Sequence, residues 1–168
     1  MRLCALFALV SLLALAACSP QTTASQDGKQ QTGTVPELDG AFGFDSLVIV
    51  NDLGEELTFD IYVATDDDQR RRGLMFVRAM PERTGMLFVY DSDDYHSMWM
   101  KNTYIPLDMV FARSDGSVSS VIRNTAPHTL TSNASVEPVS YVLELNGGVA
   151  RKLGIGTRSR LVLNASDD

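Results

Sequence analysis

Cysteine is nearly absent from this 168-residue chain: the two present, Cys4 and Cys18, both fall within its first eighteen residues. No disulfide can therefore staple the remainder, whose stability must come from a hydrophobic core. Histidine is as scarce, with His96 and His128 alone. There is no Gly-x-Ser-x-Gly elbow, no His-Glu-x-x-His zinc helix and no phosphate-cradling glycine loop, so the common hydrolase signatures are missing. Positive charge is in deficit, 14 Lys and Arg against 21 Asp and Glu. A formal charge of −7 makes nucleic acid and bare anionic lipid poor partners.

Only one long apolar run exists, Leu3 to Ala17, behind Met1 and Arg2. It is shorter than the roughly 20 residues a membrane-spanning helix needs and has the charge-then-apolar layout of a secretory signal. Leu15-Ala16-Ala17-Cys18 resembles the bacterial lipobox, which implies lipid on Cys18 and a membrane held through acyl chains. Ser19 in the next position resembles outer-membrane sorting in Gram-negative cells. The expected organisation is a signal peptide over 1–17, a lipidated flexible tether over 18–43, a globular domain over 44–164 and a short tail over 165–168. The Ser, Thr, Gln and Gly of the tether bury too little to offset ordering, and its length gives a reach on the order of 25 Å.

From Phe44 onward short β-type runs alternate with turn residues: 47–50, 57–63, 86–90, 97–101, 107–112, 118–122, 141–145 and 160–163. Asn51-Asp52-Leu53-Gly54 and Ser114-Asp115-Gly116 carry the chemistry of tight hairpin turns. Asp66, Asp67 and Asp68 stand four residues before Arg70, Arg71 and Arg72, and Gly73 follows, the register of a short capped helix with a solvated charged face. Gly148 to Leu153 is a second short helix or a turn. The expected class is mainly β with one or two short helices (β-rich α+β), a single compact domain of barrel-like or sandwich-like form.

Five motifs bear a resemblance. Gly73-Leu74-Met75-Phe76, Gly85-Met86-Leu87-Phe88, Trp99-Met100-Lys101-Asn102-Thr103, Pro106-Leu107-Asp108-Met109-Val110-Phe111 and Tyr141-Val142-Leu143-Glu144-Leu145-Asn146-Gly147-Gly148 resemble, in order and spacing, the bacterial and archaeal family DUF192. The resemblance covers about residues 45–163 and implies a compact β-rich fold, but no activity. Two departures stand out. Val77 separates Phe76 from Arg78, where members often have arginine directly, and 127–138 lacks the cysteines some members carry there.

Candidate function concentrates around the single tryptophan. Trp99 and Lys101, two apart, are expected on one strand face as a stacking and charge platform. With Asn102 and Asp108 they form the expected binding surface for a small ligand or envelope component. A snorkelling lysine beside a core tryptophan is the competing structural account. Asp108 and Glu144 each stand alone among apolar residues and call for counter-ions, with Lys101, Arg78 and Arg123 as the available cations. An enzyme built on Asp108, Glu144 and Lys101 is one alternative, and a structural or protein-interaction domain is another. A third is a Cu(I) module using His96, Met98 and Met100, for which thioether and imidazole ligands are suited, although methionine is also an ordinary core filler. No catalytic residue and no cofactor follows from the sequence.

Overall fold

Period-two alternation builds two apolar faces from the same strands, and the fold is a sheet buried on both. A computed structural model describes residues 33–163; the expected signal peptide, Cys18 and the tail over 165–168 lie outside them. The strands are β1 (Gly43–Val50), β2 (Glu56–Ala64), β3 (Thr84–Asp94), β4 (Ser97–Met98), β5 (Leu107–Ala112), β6 (Val118–Thr125), β7 (Asn133–Ala134), β8 (Val139–Asn146) and β9 (Arg160–Val162). Two short helices, α1 (Asp67–Arg72) and α2 (Val149–Lys152), join them. Seven strands form one sheet in the order β6-β5-β8-β3-β2-β1-β9, and β4 pairs with β7 apart from it. The sheet curls into a half-barrel. Its two edges touch at one end, where Val118 N–H donates to Ser159 O (3.0 Å) and Leu161 N–H to Gly116 O (2.8 Å).

Both expected hairpins form. At the β1–β2 turn the Asn51 carboxamide oxygen accepts from the N–H groups of Leu53 and Glu55, and at the β5–β6 turn Gly116 N–H donates to Arg113 O. The β2–β3 pair is parallel, which demands a crossover, and α1 with the 73–83 loop supplies it. Asp66 caps α1 in a capping box with Gln69. Gly73 stops it at φ 47°, where a side chain would be strained and would also press on the Phe88 ring.

One face carries Leu47, Ile49, Phe59, Leu87, Leu143 and Leu145, packed inside the curl with α2 across one end. The other carries Tyr62, Met86, Phe88, Met109, Phe111 and Val142. That second face is covered by the chain before β1, by Leu74 and Val77, and by Met100.

Two expectations are corrected. The tether ends sooner than residue 43: Val35 and Leu38 are fully buried, and Tyr62 Oη accepts from Val35 N–H at 2.6 Å. A polar-looking segment with two well-placed aliphatic residues closes the outer core. The strand expected over 97–101 stops at Met98. Met100 N–H turns away to Thr129 O, and Thr103 N–H closes a turn on Met100 O with Asn102 at φ 56°, a region asparagine tolerates. The Trp99–Lys101 alternation therefore belongs to a loop.

Candidate functional site

Glu144 sits in the middle of the sheet, opposite Met86 on β3 and Met109 on β5. Directly paired residues share a face, so its carboxyl projects onto the outer face among methionines and Phe88. There the covering loops leave a cleft of about 370 Å³, within the size range of small-molecule sites. Glu144, Phe88 and Tyr90 line its sheet side, Leu74 and Met75 one wall, and Met98, Trp99, Lys101 and Thr103 the other. Asp67, Arg70, Arg71 and Arg72 bring the α1 charges to its rim.

The electrostatics divide into a neutral interior and a cationic rim. Glu144 is 3% exposed, and none of the ion pairs among the described residues includes it. Burial alone pushes its carboxyl up to about 8, so it holds its proton at neutral pH and can donate a hydrogen bond. Burial likewise raises the Tyr90 phenol, over which the Arg70 guanidinium sits at 5.2 Å. Arg70 is fixed by bonds to Thr65 O (2.7 Å) and Val89 O (2.8 Å). Its pairing with Asp67 (2.7 Å) holds that carboxyl below the usual range. Arg71 pairs with Asp68, again three residues apart. The α1 charges pair at i,i+3, with Asp66 taken up as the N-cap; the face is largely solvated as expected, and its basic side also borders the cleft.

Trp99 stands half exposed at the mouth with Lys101 Nζ 5.3 Å from its ring centroid. This platform was expected on a strand; it is presented by a loop. Asn102 forms the turn behind it, donating its amide to Met75 Sδ at 3.8 Å. Asp108 lies elsewhere. Its register partner on β8 is Leu145, one step from Glu144, so the two carboxyls project to opposite faces. Fully buried, Asp108 accepts from Asn124 N–H (2.7 Å) and Ala150 N–H (2.8 Å), tying β6 and α2 to β5. Backbone donors, not Lys101, Arg78 or Arg123, satisfy it. The Asp108–Glu144–Lys101 combination is thus separated by the sheet.

The His96, Met98 and Met100 set is also dispersed. His96 stacks on Tyr90 with centroids 3.5 Å apart, and burial lowers its pKa. Met98 borders the cleft, whereas Met100 is fully buried with Thr125 Oγ1 donating to its Sδ at 3.1 Å. With the strand ending at Met98, no common face presents them to an ion. The residues that sequence reasoning left out of the binding set are Glu144, Tyr90 and Arg70. The signal for Glu144 was its parity with Val142 and the apolar register around it.

Residues 48–163 match the sequence family DUF192, whose description is "Uncharacterized ACR". The chain belongs to the DUF192 family. This DUF192 domain is similar to a solved protein of Sinorhizobium meliloti 1021, described as a candidate transcription regulator, at 39% identity over 71% of this chain and 93% of that one, TM-score 0.70. It is also similar to a protein of unknown function from Novosphingobium aromaticivorans DSM 12444, at 28% identity over 79% of this chain and 99% of that one, TM-score 0.71. No curated protein matches it.

Proposed function

We propose that this DUF192 protein is a lipid-anchored envelope protein whose cleft binds a small, ring-bearing ligand. The observation that carries the reading is a buried Glu144, outside every ion pair of the described residues, on the sheet side of a cleft whose mouth holds a half-exposed Trp99–Lys101 platform. Burying a carboxyl outside any ion pair is costly. A ligand acceptor would complete it, while the tryptophan face takes an apolar ring surface and Lys101 a negative or polar substituent. Asn102 supports the site through its amide bond to Met75. With 21 acidic against 14 basic residues this chain has the charge sign opposite to that of a DNA-binding domain, so the regulator description stays with the S. meliloti protein.

Trp99 is the single tryptophan, so its emission reports occupancy directly. Titration with a panel of cyclic carboxylates and neutral sugars should produce a saturable change with at least one ring-bearing compound. Lys101→Ala should weaken that binding by roughly two- to fivefold, the worth of an exposed cation–π contact, while leaving the melting temperature unchanged. A panel with no saturable response, or a Lys101→Ala protein destabilised by several kcal/mol, would count against the cleft as a site. The anchor has its own test. Cys18→Ala should move the protein out of the membrane fraction or stall its processing, and unaltered detergent partition would refute lipidation at that residue.

A further inference from the structure

Beyond the cleft mouth lies a second aromatic surface. Asn102 links the two: its amide holds Met75, a cleft residue, while its carbonyl accepts from Phe76 N–H at 2.8 Å. On the far side Phe76 and Tyr104 meet edge to face at 6.4 Å, and Arg78 sits 4.7 Å over the Tyr104 ring. The Val77 insertion noted in the sequence is buried, so it anchors the segment and leaves Phe76 and Arg78 on either side facing out. The pairing of Trp99 with Lys101 is thus repeated a few residues away by Tyr104 with Arg78.

Backbone strain is gathered at this place. Among the described residues four non-glycine residues have positive φ, and three are here: Phe76 at 70°, Asn102 at 56° and His128 at 62°. His128 joins through its N–H bond to Thr103 O and an edge contact to the Tyr104 ring at 5.0 Å. A bulky residue in the left-handed region is disfavoured, and Phe76 does not recover that cost by burial, since 52% of it remains exposed.

We propose that the ligand is an acidic glycan strand, its first ring seated at the Trp99–Lys101 mouth and its following rings on the Phe76–Tyr104–Arg78 shelf. This deepens the cleft reading above and rests on it. Two exposed aromatic rings in succession, each with a cation over one face and the other side left for a ligand, match a chain of sugar rings bearing carboxylates. Charge complementarity points the same way. On a chain of net charge −7, Arg70, Arg71, Arg72 and Lys101 line the cleft and Arg78 stands over Tyr104; with Arg70 and Arg71 paired to Asp67 and Asp68, Arg72, Lys101 and Arg78 stand outside the ion pairs of the described residues. A protonated Glu144 adds a donor for a ring or hydroxyl oxygen. A nucleic acid strand, the other chain of stackable rings, is the competing occupant that the oligothymidylate below tests.

The test uses the purified full chain and Trp99 emission, with galacturonic acid, its linear tetramer, a neutral cellotetraose and an oligothymidylate of similar length as probes. The acidic tetramer should bind about tenfold more tightly than the monomer. Tyr104→Ala should return the tetramer to monomer affinity without changing the monomer's. Phe76→Ala should do the same, with Arg78→Gln as a milder variant that leaves the strained turn intact. A tetramer no tighter than the monomer, or one indifferent to Tyr104→Ala and Arg78→Gln, overturns the shelf while the cleft reading stands on its own panel. Equal binding of the neutral tetramer overturns the acidic assignment, and tighter binding of the oligothymidylate overturns the glycan in favour of single-stranded nucleic acid. No binding of either galacturonate form overturns the assignment outright.

Discussion

Exchanging Glu144 for glutamine should make the protein more stable at pH 8 and nearly indifferent there to added base. The ordinary glutamate value is 4.5, and in the folded chain burial pushes this carboxyl up to about 8. Between those two values the folded state keeps a proton that the unfolded chain has released. Stability contributed by this group is therefore fully present below pH 4.5 and falls by about 1.4 kcal/mol per pH unit as pH rises toward 8. Glutamine keeps the shape and the donor but has nothing to ionise, so the variant should gain a few kcal/mol over the parent at the alkaline end and little at pH 4.5. His96 acts in the opposite sense. Burial depresses its pKa, so its contribution grows as pH rises through the ordinary histidine range. Comparing parent and Glu144→Gln at each pH removes that term, since both proteins carry it. Denaturant unfolding at half-unit steps from pH 4.5 to 8.5 is the measurement, and parallel curves for the two proteins would show that Glu144 is ionised and compensated by Arg70, Lys101 or another group facing the cleft. The same proton bears on binding: ligand affinity should drop above pH 8 in the parent, where a charged carboxylate would face the ligand.

The elements that were legible in the sequence are those whose causes are local. Asn51 and Gly116 mark hairpins because turn geometry depends on a few adjacent residues, and Asp66 with Gln69 and Gly73 delimits α1 for the same reason. The Trp99-Met100-Lys101 stretch misleads because apolar–polar alternation is the signature of a strand and also of a loop that sends one methionine into the core. No local signal separates them; the decisive contact is Met100 N–H with Thr129, twenty-nine residues away. Val35 and Leu38 were hidden by their polar neighbours for a related reason, since Tyr62, the partner of Val35, lies twenty-seven residues away in β2. At the site, Trp99 and Lys101 do meet, but through a loop and not the strand alternation that suggested it, and the choice between Asp108 and Glu144 was not legible. Both are lone acids in apolar strands. Which one faces the cleft depends on a one-residue step in the pairing of β5 with β8, and a step of one residue exchanges the two faces of a sheet.

Asp108→Ala should be among the most damaging single changes in the domain, costing roughly 2–5 kcal/mol. Its two carboxylate oxygens receive the N–H groups of Asn124 and Ala150 across 16 and 42 residues of chain, and the side chain has no solvent exposure. Truncation leaves one buried and one partly buried N–H without acceptors, each costing about 1–3 kcal/mol, besides the cavity itself. Asp108→Asn should fall between alanine and the parent, because its oxygen can still accept from one N–H while its own NH₂ confronts the other. Total stabilities of domains of this size are about 5–15 kcal/mol, so the alanine protein should show a strongly lowered denaturation midpoint and faster amide exchange at Ala150 and along α2. Ligand affinity offers the decisive contrast. Asp108 and the cleft lie on opposite faces of the sheet, so any Asp108→Asn protein that remains folded should bind with parental affinity, whereas Lys101→Ala should bind more weakly at parental stability. The reverse pattern, an Asp108 variant of full stability and lost binding, would place this carboxylate in the site and its backbone bonds in a secondary role.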